Sequence, residues 1–188
     1  MNHAILMVFF ATLSATAAGE EKNFVSLFDG STLSGWTAEM KSQWSVKDGN
    51  IVPETVVYGW LRSNELYRDF QLKLEFRTAH DGNSGVFLRS AKEGLPHETG
   101  YELQIYDLHP KGFATGSLVN VAVAKKFVTR NGKWHAFDIT CQGDHFIIKL
   151  DGRKVLDAHD GHSREGYIGL QVNPRKPIGF RHIRIRKL

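Results

Sequence analysis

The chain is short of the residues that staple or stiffen a fold. Among 188 residues there is one cysteine, Cys141, and only five prolines. A lone thiol excludes an internal disulfide, so a hydrophobic core has to hold the fold unaided. Five prolines exclude collagen-like and polyproline architectures. Charge of one sign is scarce as well: 24 Lys and Arg stand against 20 Asp and Glu, a net of +4. The densest basic stretch, residues 181–187, interleaves with Ile183 and Ile185 and reads as one exposed strand face, not a nucleic-acid stripe. Phosphate-loop, zinc-finger and G-x-S-x-G patterns are absent from the sequence, so neither nucleic acid nor serine-nucleophile chemistry is expected. Long apolar runs are absent too. The longest, residues 4–13, is too short to span a bilayer.

That run has the length of a signal-peptide core, and Ala15-Thr16-Ala17 follows as a small-residue cleavage site. The expectation is a signal peptide over residues 1–17, a mature chain starting near Ala18, and an exported protein, periplasmic or extracellular. The rest, residues 23–188, shows no repeat, linker or compositional break and reads as one domain.

What is present is period-two alternation. Apolar and polar residues alternate through 70–77, 101–105, 137–140, 146–150, 168–173 and 183–186. Turn-prone pairs lie between such runs: Asp29-Gly30, Asp48-Gly49, Asp81-Gly82, Asn131-Gly132 and Asp151-Gly152. The last predicts a two-residue hairpin joining 146–150 to 154–157. A short helical turn is expected at 63–67. Many short strands with close turns imply an all-β sandwich or barrel.

Specific motifs run through this framework. Phe28-Asp29-Gly30-Ser31-Thr32-Leu33-Ser34-Gly35-Trp36 opens it, and Trp44-Ser45-Val46-Lys47-Asp48-Gly49 follows. Later come Gly82-Asn83-Ser84-Gly85-Val86-Phe87-Leu88-Arg89 and Glu98-Thr99-Gly100-Tyr101-Glu102-Leu103-Gln104-Ile105, and Phe180-Arg181-His182-Ile183-Arg184-Ile185 closes the chain. In this order they resemble the 3-keto-disaccharide hydrolase domain family. One departure is Val119, where that pattern has an aromatic residue. The resemblance implies a concanavalin A-like jelly roll of two antiparallel sheets, a small carbohydrate substrate, and hydrolysis of glycosides oxidised at C3.

Strand alternation assigns faces. With Leu74, Leu88 and Leu103 inward, Glu75, Phe87, Arg89, Glu102 and Gln104 point outward and are expected on one sheet surface. Trp60, after Gly59, is the expected sugar-stacking platform. The segment Glu102-Leu103-Gln104-Ile105-Tyr106-Asp107 is similar in spacing to the E-x-D-x-x-E motif of jelly-roll endoglucanases, but Gln104 replaces the middle acid. An ordinary double displacement, with two carboxyls about 5–5.5 Å apart, would lack its usual acids. A 3-ketone offers another route. It acidifies the C2 hydrogen, a base removes that proton, and the enolate expels the C1 substituent, leaving an enone that water hydrates. Glu102 and His97 are the candidate bases, Arg89 the enolate stabiliser, and Asp107 or His109 the leaving-group acid. Glu75, Phe87, Gln104 and Trp60 are candidate binding residues. A divalent metal such as calcium is compatible with the fold, but His97, Glu98, Asp107 and His109 lack a tight ligand spacing. The alternative function is a non-catalytic carbohydrate-binding module on the same face, with Trp60 and Phe87 as platforms.

Overall fold

The computed structural model describes residues 22–55, 57–79, 81–173 and 176–188. The expected signal peptide lies outside the described residues. Within them run thirteen strands and one short helix: β1 Val25–Ser26, β2 Trp36–Glu39, β3 Trp44–Lys47, β4 Asn50–Pro53, β5 Gly59–Tyr67, β6 Phe70–Thr78, β7 Ser84–Ser90, α1 Pro96–Thr99, β8 Tyr101–Ile105, β9 Trp134–Gln142, β10 His145–Leu150, β11 Arg153–His159, β12 Gly166–Val172 and β13 Ile178–Lys187.

They form two antiparallel sheets packed as a jelly-roll sandwich. The larger runs β11-β10-β9-β6-β13-β4-β3, with β1 also on β13; the smaller runs β2-β5-β12-β7-β8. The predicted hairpin is present, with Asp151 and Gly152 between β10 and β11. The expected helical turn at 63–67 is instead the second half of β5, where Tyr67 pairs with Gly166 and Ser63 with Trp36. Pairing to strands on both sides overrides a local sequence without alternation.

The core lies where alternation places it. On β6, Phe70, Leu72, Leu74 and Phe76 are buried while their neighbours are not. They meet Leu61, Val86, Leu88, Leu103, Ile105, Ile168 and Leu170 of the smaller sheet in one cluster. Cys141 is part of this core, and burial pushes its thiol up to about 12. It is an apolar filler.

The smaller sheet differs from an ordinary wet face. Every residue of β7 and β8 is buried, so both of its surfaces are covered there. The segment between β8 and β9 pairs along the open edge of β8: Gln104 N–H donates to Ser117 O (2.9 Å) and Val119 N–H to Glu102 O (3.0 Å). Its far part reaches the larger sheet, where Lys125 N–H donates to Val155 O (2.7 Å). Asp107 staples this segment, accepting from Thr129 N–H (2.8 Å) and Thr129 Oγ1 (2.7 Å) while Thr115 Oγ1 donates to its other oxygen.

Trp60 and Phe87 lie on this outer face, edge to face with ring centroids 5.7 Å apart. Gly169 on the strand between them makes room. A Cβ there would stand 2.2 Å from Trp60 Cε3 and 3.1 Å from Phe87 Cδ2. Gly169→Ala should therefore force the indole out of place and cost about 1–3 kcal/mol, read as a lower urea midpoint with an unchanged slope.

Candidate functional site

Tyr101, Leu103 and Ile105 of β8 enter the core, which turns Glu102 and Gln104 to the covered outer face. Glu102 leans across β7 at Gly85, where an added Cβ would sit 3.1 Å from both its Cγ and its Oε1. That gap admits a hydrogen bond reaching over β7. Gln171 Nε2 of β12 donates to Glu102 Oε1 at 2.9 Å.

The carboxyl opens into a pocket of about 330 Å³. Tyr58 enters from the β4–β5 connection, His97 from α1, and His109, Lys111 and Asn120 from the β8–β9 segment. Asn83, Gln104, Pro110, Val119, Gln171 and Asn173 complete its lining. Tyr58 Oη and His97 Nδ1 are 3.3 Å apart. His109 Nδ1 accepts from the backbone N–H of Lys111 (3.2 Å) and of Phe113 (3.3 Å). This assigns the neutral ring's proton to Nε2.

Electrostatics single out Glu102. Burial raises its carboxyl to about 7, against the opposing pull of the Gln171 amide. No basic side chain pairs with it among the described contacts. Burial, then the Glu102 charge, pushes the Tyr58 phenol up to about 12, so it remains a hydrogen donor. Burial, then the Lys111 charge, lowers His109, which keeps its imidazole neutral. A carboxyl poised near neutrality in a polar pocket suits proton abstraction.

Residues 23–186 match the sequence model of the 3-keto-alpha-glucoside-1,2-lyase-like domain. The chain belongs to this family. Among curated proteins, the levanase of Bacillus subtilis (strain 168) is 28% identical over 150 residues, which is 76% of this chain and 21% of the levanase. The chain thus spans about a fifth of that relative's length. A candidate glycosyl hydrolase of known structure from Parabacteroides distasonis ATCC 8503 is 25% identical, with a TM-score of 0.77 over 88% of this chain and 99% of that one. Carbohydrate binding module CBM66 from Bacillus subtilis shares the fold at 22% identity and a TM-score of 0.66, over 81% of this chain and 96% of that one.

In this lyase-like domain the structure brings Glu102, His97, Gln104 and His109 together. It separates the other candidates from them. Arg89 is the largest correction. It has a positive φ of 54°, and the β7–β12 register shifts beside it, since Phe87 pairs with Gly169 but Ser90 with Tyr167. This β-bulge breaks the alternation and turns the side chain inward. The guanidinium is fully buried beside Phe146, with Nε donating to Arg68 O (2.6 Å), Nη1 to Gly143 O (2.7 Å) and Nη2 to Asp69 Oδ1 (3.1 Å). It ties chain segments together and does not line the pocket.

Glu75 lies on β6 in the other sheet, bound by Arg181 Nε (2.7 Å) and His182 Nδ1 (3.0 Å). It lines a separate cavity of about 700 Å³ near Phe24 and Asp29. Asp107 is not in the pocket lining; its two oxygens are engaged in the staple. Trp60 and Phe87 are on the expected face but 1% and 0% exposed, so neither ring is open to a sugar.

Tyr58, Asn83, Lys111, Asn120 and Gln171 are pocket residues that the sequence reading did not select. Gln171 carried a usable signal, alternating with Leu170 and Val172 on the face opposite the core. The others come from irregular segments or strand ends without periodicity.

Among the described residues, no group of three or more His, Cys, Asp or Glu has the geometry to hold a metal ion. No helix among the described residues is long and apolar enough to cross a membrane.

Proposed function

We propose that the domain is an exported enzyme that cleaves 3-keto-glycosides, disaccharides included, by eliminating the C1 substituent. The observation that carries this reading is the Glu102 carboxyl: buried, raised to about 7, and facing a polar pocket without a basic partner. Membership in the 3-keto-alpha-glucoside-1,2-lyase-like family supports the choice of substrate class.

Glu102 takes the C2 proton, and the C2–H electron pair becomes a C2=C3 bond as the ketone oxygen gains charge. Lys111, a pocket-lining ammonium, takes the enolate-stabilising part expected of Arg89. The enolate then reforms the C3 carbonyl, a C1=C2 bond forms, and the C1–O bond breaks. The departing oxygen receives a proton from the Tyr58–His97 pair. Water addition to the enone gives net hydrolysis; without it the reaction ends as a lyase.

The rival reading, a carbohydrate-binding module on this face, would have to hold sugar without Trp60 and Phe87 as platforms, since both are enclosed. Turnover decides between them. A 3-keto-disaccharide should be consumed and its unoxidised parent left intact. Because the base must be ionised, kcat/KM should be low in acid and rise with pH to a plateau, with its midpoint near 7. Binding of the parent sugar with no turnover of the ketone would favour the module.

A further inference from the structure

The chemistry above uses one end of the Gln171 side chain and leaves the other unexplained. Gln171 is 3% exposed and fixed at two points. Its Nε2 donates to Glu102 Oε1 at 2.9 Å, and its main-chain carbonyl accepts from Ser84 Oγ at 2.8 Å. The amide oxygen, Oε1, is buried with no hydrogen-bond partner. Asn83 Oδ1 is a second such acceptor, and both residues line the same pocket as Glu102. Native interiors rarely leave buried amide oxygens bare. Two of them in a polar pocket ask for a ligand that brings donors. An amide oxygen accepts only, so it favours a hydroxyl over a ketone or ether oxygen.

The orientation of the Gln171 amide follows from its neighbour. With Nε2 held by the carboxylate, Oε1 is the end left without a partner, on a residue that lines the pocket beside Glu102. In a 3-keto-glycoside, the carbon that yields this proton, C2, also bears a hydroxyl. We propose that Gln171 is a specificity-determining residue that accepts a hydrogen bond from the substrate C2 hydroxyl, with Asn83 accepting from a second ring hydroxyl. The domain then demands a sugar hydroxylated at the carbon that loses its proton. This rests on the function proposed above and adds to it a required hydroxyl pattern.

A 3-keto-glycoside and its 2-deoxy analogue test the assignment. Both carry hydrogen at C2 beside the ketone and the same leaving group, and their intrinsic reactivities are normalised by their hydroxide-catalysed elimination rates. The wild type should prefer the hydroxylated substrate by about 10- to 100-fold in kcat/KM, because the analogue leaves Oε1 bare. Gln171→Met, close in length and without the acceptor, should bring this preference below about threefold, by losing rate on the parent substrate. The hydrogen bond from Gln171 lowers the Glu102 pKa, so the variant's pH limb should also move upward. Preferences are therefore compared on each enzyme's plateau. Equal use of both substrates by the wild type, or an undiminished preference in Gln171→Met, overturns the assignment. If that variant does not fold, the two substrates on the wild type still decide. Failure of the wild type to turn over the hydroxylated ketoside defeats the functional reading and this proposal with it. Turnover without preference defeats the Gln171 assignment alone.

Discussion

Replacing Glu102 by Gln should lower turnover of a 3-keto-glycoside by about 10²-fold or more while making the protein more stable above neutral pH. The two effects share one cause. Burial holds the folded carboxyl at about 7, above its ordinary value of 4.5. Between these values the folded chain binds more proton than the unfolded chain, so stability falls as pH rises through the window. Above about 7 the full cost of a buried carboxylate is present, on the order of 3 kcal/mol. Glutamine keeps the shape and can still accept from Gln171, but it has no proton to lose. At pH 8 the variant should melt several degrees higher than the wild type. At pH 4 the gap should close. Equal melting temperatures at both pH values would mean that the carboxyl is not held near neutrality.

Arg89→Met should have the opposite profile: a large loss of stability with little loss of rate per folded molecule. The guanidinium is fully buried and donates to the carbonyls of Arg68 and Gly143 and to the Asp69 carboxylate, drawing the β5–β6 turn, β7 and the β9–β10 turn together. Removing this buried guanidinium leaves the carbonyls it serves unmatched and opens a cavity in its place, at about 3–5 kcal/mol together. Urea unfolding measures this loss, and kcat under conditions where the variant is folded measures the rest. A stably folded Arg89→Met with a hundredfold lower kcat would return Arg89 to the catalytic part expected from its strand position.

The contrast between these residues shows what alternation can and cannot reveal. Period two tells which side of its own strand a residue occupies, and for Glu102 and Gln104 that was enough. It does not tell which sheet the strand joins. β6 and β7 are consecutive in the chain, yet β6 pairs with β9 and β13 while β7 pairs with β8 and β12. Glu75 is thereby placed in the other sheet from Glu102. Nor does it survive a bulge. The positive φ at Arg89, which no neighbouring glycine announces at that position, exchanges a pocket cation for a buried tie. The irregular stretches, α1 and the long β8–β9 segment, escaped for a related reason. Their conformation comes from contacts distant in sequence, such as His162 with Glu98, Asp107 with Thr129 and Lys125 with Val155. Those same irregular stretches supply His97, His109, Pro110, Lys111, Val119 and Asn120, so half of the pocket had no periodic signature.

The central claim is that cleavage begins with loss of the C2 proton to Glu102. A 3-keto-glycoside carrying deuterium at C2, treated with the enzyme in ordinary water for less time than the unenzymatic sample needs to lose its label, addresses it directly. Elimination predicts a primary isotope effect on kcat/KM and a sugar product, enone or rehydrated, that has lost the deuterium. Cleavage that keeps the deuterium at C2, with no isotope effect, would contradict the account.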